Sequence, residues 1–383
     1  MNKVYIVGGV RTPIGKTGGA LRLFLPEELA ACVLNEILSR FGLAPGHVDH
    51  VVLGNAAGTG GNLARVAVLQ AGWPYGVPAM TVDAQCASGL AGVSAAWALV
   101  AAGAAELVVA GGMESTSMAP ARRFHINDPR FTGHDDFYEQ APFSPLAIGD
   151  PDTVAAAETL AGEMDISRRE MDALALESHR KACAAKRGGI LDDIILPLAR
   201  GGLIKDDECP RENMNMRLLS RLKGIVAREG RITAGNACLK HDGAAAVLLA
   251  SPEALRRHAL KPAAELRRAA SAGCDPNYFP LGPVCAINSL LRCCSLGLEE
   301  IDAVEINEAF AVKILACCRK LGLPPEKVNK LGGALAYGHP YGASGAIILL
   351  HLLKTLEKTK GRFGIAAIGA VGGLGAAVLA EKI

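Results

Sequence analysis

An internal repeat limits what this chain can fold into more than any other feature. The segments GLAPGHVDHVVLGNA (42–56) and GLEEIDAVEINEA (297–309) share one layout. Each runs Gly-Leu, a polar turn, Val/Ile-Asp, a strand-like stretch, then Asn and Ala. From Asp49 to Cys86 is 37 positions, and from Asp302 to His339 is again 37. Ala-Ser-Gly follows at 87–89 and at 343–345. A helical run, a β-like run and a glycine pair come next, Gly111-Gly112 in one case and Gly372-Gly373 in the other. Two α/β units sharing only a general rhythm would not keep such offsets, so the pattern reads as a duplicated unit. If a pseudo-twofold axis relates the halves, Cys86 and His339 occupy equivalent points facing one shared site.

Around these landmarks, short β-rich runs such as VYIVGG and HVVLGNA alternate with helical stretches such as PEELAACVLNEILSRFG. That alternation predicts an α/β fold with a largely buried sheet. Residues 119–240 have no counterpart in the second half. They hold polar loops (RRFHINDPRFTGHDDF), a helical run and a charged turn (KDDECPR), and read as an insertion over the site. The expected organisation is a first half of 1–118 with 241–250, the insertion 119–240, and a second half of 251–383. A chain of 383 residues is too long for one ordinary core, which fits two halves.

Composition removes several function classes. A formal charge of +2, 4% aromatic residues and no basic stripe argue against a nucleic-acid binder. Apolar runs such as AAWALVAAGAAELVVAGG are broken by Gly and Glu and fall short of a membrane span. The 11 cysteines form no zinc-ribbon spacing and no disulfide framework, so a reducing compartment is expected. Residues 3–8 (KVYIVG) already look like a strand, so no signal peptide is expected and the cytoplasm is the expected location.

Few residues suit chemistry. Cys86 lies in VDAQCASGLAG, where a strand ends and a helix begins. A thiol at a helix N-terminus meets free amides and the positive dipole end, which favour thiolate. The alternative is an inert buried thiol. His339, in LAYGHPYGASGA, sits in a glycine-lined bend before another helix and could serve as a base for a thiol. Otherwise it only satisfies backbone groups. Asn307 and Glu308, in EINEAF, end a predicted strand, where an amide could hold a water or an oxyanion. The C-terminal AIGAVGGLGAA reads as a close-approach loop that supplies a backbone N–H, rather than as a phosphate cradle. His125, His134, His179 and His241 show no metal-ligand spacing, and no metal is expected.

Along essentially its whole length the chain resembles the thiolase family. The motifs are RTPIGKTGG (11–19), QCASGL (85–90), GGMES (111–115), TAGNA (233–237), DGAAA (242–246), NEAFA (307–311) and GHPYGASG (338–345). The resemblance implies a duplicated five-layer αβαβα fold with an inserted loop domain. It implies an acyl-CoA:acetyl-CoA C-acyltransferase that cleaves or forms 3-ketoacyl-CoA. Cys86 would carry the acyl group, and His339 would activate it. A water held by Asn307 would form one oxyanion hole with His339. The backbone amides of Cys86 and of Val371, in the glycine loop, would form the other. Coenzyme A, as substrate and not as a tightly bound cofactor, would lie against Arg211, Ala234, Gly235 and Cys238, with its pantetheine running inward. Family members are dimers or tetramers, so a homodimer or homotetramer is expected.

The sequence also departs from the family's pattern. A second catalytic cysteine usually precedes the C-terminal glycines; here that position is Gly369, followed by Ala370 and Val371. Cys238, where the family has serine, is one candidate surrogate acid/base, and Cys285 is another. The usual Met-Gly-x-Thr-Ala-Glu run is replaced by PDTVAAAETLA (151–161), so acyl-chain preference does not carry over. Two alternatives follow. One is a ketosynthase-like acyltransferase without ordinary Claisen chemistry. The other is a low-activity homologue acting as a subunit of a complex.

Overall fold

The computed structural model describes residues 1–138 and 141–383. The chain opens with β1 (Tyr5–Arg11), β2 (Gly15–Lys16), α1 (Pro26–Arg40), β3 (His50–Gly54), α2 (Leu63–Gln70), β4 (Ala79–Val82), α3 (Ser88–Ala101) and β5 (Leu107–Glu114). After β5 come α4 (Thr153–Glu163), α5 (Arg168–Arg187), β6 (Leu198–Ala199), β7 (Leu203–Ile204) and α6 (Met216–Leu219). The chain then returns to the sheet with β8 (His241–Ala250), followed by α7 (Pro252–Arg257). The last third holds β9 (Ala264–Gly273), α8 (Gly282–Cys294), β10 (Ala303–Ile306), α9 (Ala311–Leu321), α10 (Ala334–Tyr337), α11 (Tyr341–Thr359), β11 (Phe363–Ala370) and β12 (Leu374–Lys382).

The duplication is visible in strand order. β4-β3-β5-β8-β1 is answered by β10-β11-β12-β9. Val328 bridges in parallel to Val304 where β4 flanks β3 in the first half. The two arrays meet edge to edge, Tyr5 pairing with Glu265 and Ile6 with Ala264, which makes one ten-stranded sheet. β11 and β12 are joined by Val371, Gly372 and Gly373 alone, whereas the chain from 115 to 240 intervenes between β5 and β8. The glycine pairs matched in the sequence are not equivalent. Gly111 and Gly112 lie inside β5, while Gly372 and Gly373 form the turn after β11, with φ of 77° and 74°.

Hydrophobic patterning sets the layers. Helix α3 carries no charged residue and turns Leu90, Val93, Ala96 and Val100 into the core. With α11 it fills the centre, packed against Val52, Val108 and Val247 of one array and Ala366, Ile368 and Val378 of the other. Helices α1 and α2 cover the outer face of the first array, and α8 and α9 that of the second. The result is the expected five-layer αβαβα stack. Helix α4 and the start of α5 join a further cluster through Ala156, Leu160 and Met171, against Phe279, Phe310 and Val312.

The central helices touch at their first turns. A Cβ on Gly345 would lie 2.1 Å from the backbone nitrogen of Leu90, and one on Gly89 would lie 2.5 Å from the carbonyl of Gly342. Only glycine permits that approach. Cys86 stands two residues before the start of α3, and His339 two before the start of α11. Cys86 and His339 therefore stand at matching positions beside the crossing. Among the described residues, no helix is long and apolar enough to cross a membrane.

Candidate active site

The turn ahead of α3 is held by the Asp83 carboxylate, which accepts the N–H of Gln85 at 2.8 Å. Gln85 adopts φ +54°, a sparsely populated conformation for a non-glycine residue, and Cys86 follows it directly. The expectation that the helix terminus would favour thiolate is outweighed. Burial is the largest influence and pushes the Cys86 thiol up to about 11, against a smaller downward pull from Lys313. In the ligand-free fold Cys86 is therefore a thiol and needs a base.

His339 occupies the corresponding bend, two residues before α11. Gly338 ahead of it takes φ +108°, and a Cβ there would meet the His241 ring at 2.3 Å. Nδ1 of His339 lies 2.5 Å from Oγ of Ser344. That hydroxyl donates its one proton to the carbonyl of Pro340 at 2.9 Å. With its proton on that carbonyl, Oγ accepts from Nδ1–H in the tautomer that leaves the lone pair on Nε2. Nε2 is buried and has no hydrogen-bond partner. Burial first, then Lys313 and His241, holds the imidazole well below its ordinary 6.5, so it stays neutral at physiological pH. Its ring meets that of Tyr341 edge-on at 5.0 Å.

Asn307, at the end of β10, places its amide nitrogen 3.4 Å from Nδ1 of His339, a contact and not a hydrogen bond in the tautomer with Nδ1–H, since both groups are then donors. Its Oδ1 is buried without a partner. A cavity of about 20 Å³, lined in part by Glu305, Asn307, Gly338, Ser344 and His351, adjoins Asn307. That is room for one water. Glu308 is not part of this group. Its carboxylate accepts from Ser178 Oγ (2.6 Å), Asn329 Nδ2 (2.8 Å) and the Leu335 amide, so it ties β10 to α5 and to the loop before His339.

Cys238 is stitched alongside. Its amide donates to the Ala309 carbonyl at 2.9 Å, and Ala311 donates to Asn236 at 2.8 Å. Burial raises the Cys238 thiol strongly, and the neighbouring Cys86 adds to it. Cys285 sits in α8 near Cys274, whose thiol is pushed up by burial and by Cys285. Gly369 pairs with Gly375 in the β11–β12 ladder. A Cβ on it would lie 2.7 Å from Pro283 Cδ, so a side chain there does not fit as the strands stand. Val371 lies at the turn that follows, in the apolar cluster that Cys238 borders. Lys313 of α9 is fully buried and donates from Nζ to the Gly369 carbonyl at 3.1 Å. It has no salt-bridge partner among the described residues.

The residues expected to hold coenzyme A lie on the inserted side. Arg211 is exposed, and its backbone amide donates to Nδ1 of His179 at 3.1 Å. His179 is held neutral, its pKa lowered to about 4 by burial and by Arg211. Ala234 is exposed and Gly235 half-buried on a turn closed by Asn236. The Asn236 side chain accepts from Thr233 N and donates to Asp172 of α5 at 2.9 Å. No group of three or more His, Cys, Asp or Glu suited to a metal ion occurs among the described residues.

Ser344, Tyr341, His241 and Lys313 escaped the sequence reading. The first three need contacts to be recognised. Lys313 carried a signal, as one charge inside the apolar run AFAVKILACC.

Comparison with known proteins agrees with this geometry. Residues 4–253 match the thiolase N-terminal domain, and residues 260–382 match the thiolase C-terminal domain. The chain is 42% identical over 385 residues to a Bacillus subtilis (strain 168) protein named "Putative acetyl-CoA C-acetyltransferase YhfS", with full coverage of both. It is 39% identical to the like-named VraB of Staphylococcus haemolyticus, covering 100% of this chain and 99% of that one. The crystal structure of Bacillus anthracis acetyl-CoA acetyltransferase superposes with a TM-score of 0.94 at 36% identity, covering 100% and 99% of the two chains. Human mitochondrial 3-ketoacyl-CoA thiolase in complex with CoA gives 0.92 at 33%, covering 100% and 98%. Matched in both halves, over nearly all its residues, the chain belongs to the thiolase family.

Proposed function

We propose that Cys86 carries the acyl group in the thiolase reaction of this protein, with His339 as its base. The observation that carries the reading is the unpartnered Nε2 of His339, left as an acceptor because Ser344 takes the Nδ1 proton. Nε2 removes the Cys86 proton as sulfur attacks the thioester carbonyl. The imidazolium returns that proton to the departing thiolate, which leaves acyl-Cys86. For thiolysis of a 3-ketoacyl-CoA the leaving group is instead the enolate of acetyl-CoA. A water accepted by Asn307 Oδ1 would direct its other proton to the thioester oxygen.

Acyl-CoA and CoA are the substrates of this reading. Arg211, with the turn at Ala234 and Gly235, receives the cofactor-like part of CoA, and the pantetheine runs past Cys238. The backbone amides of Cys86 and Val371 supply the second oxyanion site. A homodimer or homotetramer in the cytoplasm belongs to the same proposal, and 11 free thiols suit a reducing compartment. Intact-mass and peptide mass spectrometry after incubation with acetyl-CoA or acetoacetyl-CoA tests it. One acyl group on the Cys86 peptide is expected. Labelling at another cysteine, or none with a series of acyl-CoAs, would overturn it.

A further inference from the structure

Acyl transfer to Cys86 is half of the chemistry. Forming a carbon–carbon bond to the acyl group requires removal of a proton from the α-carbon of a second thioester. The reverse cleavage requires a proton for the departing enolate. His339 is engaged with Cys86, and Gly369 has no side chain. Glu308 is fully hydrogen-bonded elsewhere, and burial keeps the Cys238 thiol protonated.

Lys313 remains. It projects from the second residue after the start of α9, four residues beyond Ala309, whose carbonyl anchors Cys238. Its side chain is wholly buried, yet no carboxylate pairs with it among the described residues, and Nζ rests on the carbonyl of Gly369. Cys86, Cys238 and His339 all fall within the reach of its charge. A buried lysine is ordinarily paired. This one spends a single donor on the backbone carbonyl of Gly369, the position where the family's second cysteine is expected. We propose that the Lys313 amine is the second acid/base of the site, taking the α-proton of the incoming acetyl thioester in condensation and returning it to the enolate in thiolysis.

The proposal rests on acylation of Cys86. In condensation the neutral amine takes the α-proton and becomes ammonium. The carbanion's electron pair forms the new bond to the acyl carbon, and the bond from that carbon to Cys86 sulfur breaks. The ammonium then gives its proton to the Cys86 thiolate, which restores both groups. Burial favours the neutral form needed at the start, lowering Lys313 from its ordinary 10.5.

Two variants test it on the full chain. Lys313→Gln keeps a donor for the Gly369 carbonyl and removes the titratable amine. Lys313→Arg keeps charge and donors but cannot be deprotonated. The readouts are the acyl adduct on Cys86, exchange of acetyl-CoA methyl protons in D₂O, and acetoacetyl-CoA thiolysis. Both variants are expected to form the adduct but to lose exchange and thiolysis by about 10²–10⁴-fold. Near-normal exchange in either variant would overturn the proposal, since Arg rescue would mean that only the charge matters. Loss of the adduct from both would also overturn it, placing Lys313 in the frame of the site. If the unmodified protein forms no Cys86 adduct, the failure belongs to the acyl-transfer reading beneath.

Discussion

The chemistry of the site depends on which nitrogen of His339 is free, and Ser344 decides that. Ser344→Ala removes the acceptor for Nδ1–H and leaves a buried donor unmet. Such a loss costs about 1–3 kcal/mol. Thiolysis of acetoacetyl-CoA by this variant is expected to fall roughly tenfold to a hundredfold in kcat, with KM nearly unchanged; an unchanged kcat would show that Ser344 does not set the tautomer. Cys86, His339 and Asn307 could be named from the sequence because each stands at a strand or helix end marked by glycines and by the repeat. Ser344, His241 and Lys313 could not be given roles there. A serine four residues beyond Pro340 looks like any first-turn serine until its single proton is followed to the Pro340 carbonyl. Cys86 lies at the strand-to-helix turn that the sequence marks, and burial opposes the thiolate that a helix terminus favours.

Among elements, the crossing of α3 and α11 carries most of the architecture. Gly345→Ala would drive a methyl group into the Leu90 backbone, which has no rotamer to yield. Overpacking of this kind costs about 1–3 kcal/mol. Both the melting temperature and the rate of Cys86 acylation should drop, since the same contact spaces the thiol from the imidazole. A fall in stability alone would mean that the helices shift without moving the pair. The repeat made this crossing legible in outline, as two helices with matching glycine-rich starts. The mismatch of the glycine pairs was not legible. Gly111-Gly112 and Gly372-Gly373 look alike in one dimension, but β5 runs on through its pair while β11 stops short of its own. That difference follows from what comes next, a long insertion in one half and a three-residue turn in the other.

At the scale of the whole molecule, the buried titratable groups set a stability profile. Burial raises Glu305 to about 8 and Glu114 to about 7 from an ordinary 4.5. Each keeps its proton longer in the fold than in the unfolded chain, so stability falls as pH rises from about 4.5 to 8. His339 and His351 are lowered below 6.5 and act oppositely, because unfolding binds protons below that value and stability is lost as pH falls. Above 6.5 the carboxyl contribution still falls, while Lys313, lowered from 10.5 by burial, works against it because unfolding there binds a proton. Glu305→Gln is therefore expected to gain melting temperature relative to the unmodified protein as pH rises from 6.5 to 8.5 in scanning fluorimetry; parallel profiles for the two proteins would contradict it. A last consequence concerns redesign. Pro283 occupies the space that any side chain at Gly369 would need. A cysteine placed at 369 alone would strain the β11–α8 contact, so a second thiol there calls for a smaller residue at 283 as well.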